Sequence, residues 1–246
     1  MTTQAFDDWL TTPQGQYVLG WEKARHDVML ADVFGFNAVQ IGMPQHDLLR
    51  NNRMPFRFRC DTLCGRETPG EVYTDLHQLP FAAQSVDLVL LPHVIEFDAN
   101  PHQILREVER ILVPEGHVMI TGFNPYSLWG LRRRLSRSRR DVPWNGHYIS
   151  VPRLREWCSL LGFETRAGAF GCYAPTVKQE KWLRWWEFIE YAGDRWWPYG
   201  GAVYMIQAVK RVSGMRLITP VWADRRARAK ALSAVTPQST HKSGRQ

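Results

Sequence analysis

Residues 75–124 read DLHQLPFAAQSVDLVLLPHVIEFDANPHQILREVERILVPEGHVMITGFN. Val86 to Leu91 is a short, mostly apolar run of strand length, the pattern of a strand buried on both faces. Ile104, Leu105, Val108, Ile111 and Leu112 recur at helical spacing, with Arg106, Glu107, Glu109 and Arg110 on the other side. Pro114-Glu115-Gly116 is expected to stop that helix, and His117 to Phe123 to begin a second apolar strand. A strand, a crossover helix and a parallel strand make a βαβ unit, right-handed in nearly all cases.

The same residues carry a resemblance. The order D-x-x-x-L-P-F, S-V-D-L-V, H-V and L-R-E-V-x-R-I-L-x-P-x-G resembles the middle of the class I S-adenosylmethionine-dependent methyltransferases, nearest the type 11, ubiquinone-biosynthesis-like branch. The resemblance covers roughly residues 36–210. It implies an α/β, Rossmann-like fold: a seven-stranded, mostly parallel sheet with an antiparallel last strand and helices on both faces. It also implies S-adenosyl-L-methionine as cofactor, held at the carboxyl ends of the first strands.

Working outward, Thr11-Thr12-Pro13 reads as a helix start, and Tyr17 to Phe34 as one amphipathic helix closed by Gly35. In the family such a leading helix often covers the cofactor cleft; packing on the sheet edge is the alternative. Asn37 to Gly42 is the first strand with its exit turn. Members of the family carry an acid two residues before a G-x-G-x-G turn that lets the backbone approach the cofactor. Here the turn is Gln40-Ile41-Gly42-Met43-Pro44-Gln45-His46, so Gly42 alone matches and the glycine-rich motif is degenerate. By the resemblance, Gln40 and Gly42 face the methionine part of the cofactor. A fold that keeps its shape but has lost or repurposed the pocket is the competing reading.

Phe56 to Cys60 alternates as a half-exposed strand ending at Asp61, the position where the family binds the ribose hydroxyls; Glu67 or Glu71 takes that role if the register differs. Asp75, at the end of the short strand Glu71 to Thr74, matches the acid that binds the adenine amino group, with Leu76 flanking the ring. His93, just past the strand at 86–91, matches a common family histidine beside the sulfonium; it is the weak candidate for a catalytic base in a site whose catalytic residue is otherwise unknown. Glu96, Asn124, Tyr126 and Trp129 fall on the acceptor side by the same comparison.

Residues 124–150 form a substrate-side insert in which aromatic residues precede six arginines between Arg132 and Arg140. Such a cluster suits the phosphates of nucleic acid or acidic lipid, or is simply a solvated face. Ser150 to Phe163 reads as a capped helix stopped by Gly162, and Phe163 begins the sixth strand. A Trp-rich segment spans 178–200, and Gly201 to Lys210 is the last strand.

The 246 residues suffice for one domain with a sizeable core. Hydrophobic content of 44% and charged content of 22% is ordinary globular material. No apolar run reaches transmembrane length, and the N-terminus lacks a signal pattern, so the expected location is cytoplasmic. Cys60, Cys64, Cys158 and Cys172 lack zinc spacing, and no metal is expected. From Asp224 onward six Lys/Arg against one acid supply +5 of the +7 net charge, a basic tail read as disordered. The expected organisation is a helical lead-in (1–35), a methyltransferase-like domain (36–212) and the tail (213–246). The expected function is methyl transfer to a small hydrophobic or phosphate-bearing acceptor. The rivals are a catalytically silent binding or regulatory module, and an RNA-binding protein using the arginine insert and tail.

Overall fold

The structure is a computed structural model of the whole chain and describes residues 3–62, 72–135, 143–175 and 198–212. Glu67, Glu71, the arginines after Arg134, most of the Trp-rich segment and the basic tail lie outside the described residues.

The lead-in holds two helices, α1 (Thr3–Leu10) and α2 (Pro13–Met29), where the sequence suggested one. Thr12 caps α2 as expected: its hydroxyl accepts from the Gly15 N–H at 3.2 Å, with Pro13 in the first turn. The helix stops at Met29 and does not run on to Phe34. The buried Asn52 amide donates to the carbonyls of Leu30 and Val33, both at 3.2 Å, taking up acceptors that a helix end leaves open. Gly35 is not the left-handed cap its position suggested. It is small because a Cβ there would collide with Asp87, whose carboxylate accepts from the Phe36 and Asn37 N–H groups and pins the start of the sheet.

The sheet consists of β1 (Asn37–Ile41), β2 (Phe56–Asp61), β3 (Val72–Tyr73), β4 (Val86–Pro92), β5 (Leu112–Phe123), β6 (Phe163–Gly171) and β7 (Val203–Lys210). Its order is β3-β2-β1-β4-β5-β7-β6. The first five pair in parallel and β7 runs antiparallel to both of its neighbours. Helix α3 (Pro101–Ile111) joins β4 to β5, while α4 (Leu128–Leu135) and α5 (Val151–Leu160) follow β5. The strand after α3 begins at once. Val86 pairs with Leu112 and Leu88 with His117, so residues 113–116 bulge from the ladder, with Glu115 at φ +65°. A bulge accommodates Pro114, which has no N–H to give the ladder.

Alternation along the strands makes two cores. On one face Ile104, Leu105, Val108 and Ile111 of α3, with Leu154 and Cys158 of α5, cover Val39, Ile41, Val89, Leu91, Val118 and Ile120. On the other, Leu30, Val33, Leu48, Leu49 and Met54 cover Ala38, Leu88, Leu90 and Met119, with Trp21 and Met29 of α2 packed against them. Each fully buried aliphatic side chain contributes about 1.5–3 kcal/mol. A loop without a helix joins β1 to β2, so this loop and the lead-in segment together cover a face that a helix after β1 would otherwise cover. A third cluster joins Phe6, Trp9 and Leu10 of α1 to Met43, Phe123 and Trp129, at the carboxyl ends of β1 and β5. Among the described residues no helix is long and apolar enough to cross a membrane.

Candidate active site

Strand order reverses between β1 and β4, and at such a point the turns leaving the carboxyl ends diverge and open a cleft. Three segments meet there: the turn after β1, the end of β2, and the residues after β4.

In the first, Gly42 has φ +91°, and a Cβ on it would lie 2.7 Å from Val94 Cγ2, so glycine is required twice over. Met43 follows at φ +49°, a left-handed conformation held by burial of its side chain against α1. Gln40 is wholly buried. Its Nε2 donates to the carbonyls of Gly42 (3.1 Å), Met43 (3.0 Å) and His46 (2.8 Å), and its Oε1 accepts from the Leu48 N–H (3.0 Å). A carboxylate here could not donate to three carbonyls. The amide at the family's acidic position therefore shapes the turn from inside, in place of the missing glycines, with its polar atoms turned to the chain itself.

Asp61 ends β2 almost fully buried, and its Oδ1 accepts from the Thr62 N–H at 2.7 Å. Asp75 lies beyond β3 and is exposed. The His77 N–H (2.9 Å) holds its carboxyl below the ordinary value, helped by the His77 ring at 3.2 Å. The other side of that ring reaches Asp98 at 3.0 Å, and this bond raises the His77 pKa against burial. Leu76 packs its half-buried side chain against the α3 side of the core.

After β4, His93 takes φ +53° and its N–H donates to the Thr121 carbonyl at 3.0 Å. Its ring is buried between two carboxylates: Nε2 meets Glu22 Oε1 and Nδ1 meets Glu96 Oε1. Phe6 and Phe123 lie on it at centroid distances of 5.1 and 4.4 Å. Burial alone would lower its pKa; the coulombic pull and hydrogen bonds of Glu22 and Glu96 win and push it up to about 10. At neutral pH it is an imidazolium, with no lone pair to take a proton from an acceptor. Glu96 also accepts from the Phe123 N–H at 2.8 Å.

Glu22 was not anticipated from the sequence. It carries no motif, but Val18, Leu19, Glu22 and His26 all lie on the buried stripe of α2, and an acid on an apolar stripe was the available signal. Glu22 Oε2 and His26 Nε2 are buried without a hydrogen-bond partner, and burial lowers the His26 pKa. The Glu22 and Glu96 carboxyl groups flank one imidazole from its two nitrogens and leave Glu22 Oε2 to accept from a further donor.

Of the acceptor-side residues, only Glu96 reaches this centre. Asn124 is buried and ties β5 to the last strand's approach, donating to the carbonyls of Tyr199 (2.8 Å) and Gly201 (3.0 Å). Trp129 is buried, its Nε1–H on the Ala174 carbonyl at 2.8 Å, and Tyr126 stands 75% exposed. Tyr148, stacked on Phe123 at 5.2 Å, is nearer the centre than either. Among the described residues no His/Cys/Asp/Glu group could hold a metal ion.

Comparison with known proteins adds four findings. Residues 60–120 match the model of the type 11 methyltransferase domain. The chain is 30% identical over 171 residues to Uncharacterized protein YafS of Escherichia coli, spanning 66% of this chain and 67% of that one. It is 31% identical over 115 residues to a malonyl-[acyl-carrier protein] O-methyltransferase of Methylovorus sp., a stretch of 47% of this chain and 36% of that enzyme. Among solved structures, the Haloferax volcanii methyltransferase in complex with the Trm112 methyltransferase activator matches over 88% of this chain and 100% of its own. The TM-score is 0.60 and the identity 18%, a likeness of fold.

Proposed function

This chain belongs to the class I S-adenosylmethionine-dependent methyltransferases of type 11, and we propose that it transfers a methyl group from S-adenosyl-L-methionine to a small hydrophobic or phosphate-bearing acceptor. The observation that supports this most is the buried Glu22–His93–Glu96 cluster beside the Gly42 turn, in which a Glu22 oxygen has no hydrogen-bond partner among the described residues. S-adenosylmethionine is a sulfonium that also carries an ammonium group, so the donor set suits it. Bound there, it supplies an electrophilic methyl group that needs no activation by a base.

The chain's own residues then bind, orient and exclude water. Gly42 lets the backbone come close, and Glu22 and Glu96 oppose positive charge, with His93 holding the two carboxylates in place. Asp61 and Asp75, with Leu76, stand at the ends of β2 and β3 where the nucleoside part is expected. Phe6, Trp9 and Phe123 form an apolar cover that keeps water from the centre. Positioning of the acceptor in line with the methyl group supplies much of the rate gain. Gln40 contributes through the turn it holds.

Calorimetric titration with S-adenosylmethionine and S-adenosylhomocysteine tests this reading. Micromolar binding is expected, weakened at least tenfold in Asp75→Ala and in Glu22→Gln. Folded protein that binds neither ligand up to millimolar concentration overturns it. One observation favours a second reading, a silent binding or regulatory module: after Gly42 the chain carries Met43, its side chain buried under α1, and Pro44 in place of an open glycine turn. Of the insert's arginines, Arg132 lies over Trp144 at 5.3 Å and Arg133 over Tyr148 at 4.8 Å.

A further inference from the structure

A cavity of about 320 Å³ opens beside this centre, between the starts of α3 and α5, the end of α4 and residues 147–149. Ile95, adjacent to Glu96, forms its floor side, and Tyr148 links it through Phe123 to His93. Two guanidinium groups stand in its wall. Arg133 is fixed by an Nε–H bond to the Trp144 carbonyl at 2.8 Å and by the Tyr148 ring, and Arg153 by the Trp157 ring at 5.2 Å. Among the described residues neither has a carboxylate partner. His147 joins them in the wall. The acid that shares the wall, Asp98, is already occupied by His77 at 3.0 Å and the Asn100 N–H at 2.6 Å.

Two further features have the same sign. Helices α3 and α5 both begin at this cavity, and neither Asn100 nor Ser150 makes a side-chain capping bond; Pro101 and Pro152 have no N–H and the Asn100 carbonyl takes the Gln103 N–H, which leaves the His102, Val151 and Arg153 N–H groups of the two first turns without a cap. Each N-terminus adds partial positive charge. A guanidinium resting on an aromatic face keeps its outer N–H groups directed for planar, two-point contact with an oxyanion. Two guanidinium groups and two helix starts without side-chain caps around one small cavity describe a site for an anionic group.

We propose that this cavity holds the carboxylate or phosphate of a small methyl acceptor, through Arg133, Arg153 and His147. The proposal rests on the methyl-transfer reading for its role, and on the cavity alone for its binding. At about 320 Å³ the space is at the small end of ligand pockets and takes a compact molecule.

The test uses the full chain and four probes: phenyl phosphate, benzoate, benzyl alcohol as the neutral counterpart, and a single-stranded RNA oligonucleotide. Calorimetry on wild type, Arg133→Gln, Arg153→Gln and Arg153→Lys reads the affinities, with S-adenosylhomocysteine titrated into each sample. Expected is binding of phenyl phosphate or benzoate and not of benzyl alcohol. That binding should weaken at least tenfold in either Gln variant, recover in part in Arg153→Lys, and leave the S-adenosylhomocysteine affinity within about twofold. Preference between the two aromatic anions distinguishes a phosphate from a carboxylate acceptor. Arg153 is exposed and holds only the Trp157 ring, so its variants keep the test valid if Arg133→Gln does not fold. S-adenosylhomocysteine binding with no anion binding, or anion binding indifferent to both arginines, overturns the proposal alone. Anion binding lost in the Gln variants, without S-adenosylhomocysteine binding, keeps the anion site and overturns the methyl-transfer reading. RNA binding that needs Arg153 while the small anions do not bind overturns the small acceptor in favour of a polynucleotide.

Discussion

Gln40 sends four hydrogen bonds into one turn, and that decides what can replace it. Gln40→Glu would restore the family's acid, yet it would set a carboxylate against three carbonyl oxygens. We expect destabilisation of about 2–4 kcal/mol in urea unfolding, with Gln40→Ala similar, from unpaired buried groups. The sequence showed the departure at this position but not its compensation, because the bond partners are set by how residues 42–48 fold back. His93 gives a second prediction. Its folded pKa of about 10 stands above the unfolded 6.5, so the folded state retains a proton. Its stabilisation is complete below pH 6.5 and is lost as pH rises towards 10. Between pH 6.5 and about 8.5, unfolding free energy should fall with a slope approaching 1.4 kcal/mol per pH unit, and His93→Gln should flatten it. Above that range the Cys158 thiol, pushed up to about 11 by burial, adds its own decline. His93 was visible in the sequence at its family position; its protonation state was not, since it depends on Glu22, 71 residues away.

At the scale of elements, the βαβ unit was legible because its signals are local: apolar runs, helical spacing and a breaker. The lead-in was less so. Its α1 carries Phe6, Trp9 and Leu10 on one buried side, but eight residues are too few for periodicity to stand out. The packing explains its presence, since α1 covers Met43 and Phe123 at the candidate site. Phe6→Ala should therefore cost about 3–5 kcal/mol in thermal or urea unfolding. Increased hydrogen exchange should be confined to α1, α2 and the 42–46 turn, with β6 and β7 unchanged. Uniform loss across the sheet would remove α1 from its role as a local cover.

At the scale of the whole molecule, two of the openings among the described residues bear on where a ligand sits. The larger, about 960 Å³, runs along the edge strand β6 past α5, between Glu164, Arg155 and Tyr199. It lies away from the β1–β4 reversal, so its size is no guide to chemistry. Saturating S-adenosylhomocysteine should slow hydrogen exchange at residues 42–46, 61–62 and 93–97 and leave 163–171 untouched; protection centred on β6 would relocate the cofactor. By itself the sequence determined the parallel sheet, its antiparallel last strand and the family, because these rest on local patterns read in order along the chain. Only the tertiary structure decided that Glu22 joins His93 and Glu96, that Gln40 faces its own turn, and that Arg133 and Arg153 share one cavity with two helix starts. Those are meetings of residues far apart in the chain, and burial, charge balance and unpaired polar atoms exist only once the chain is packed.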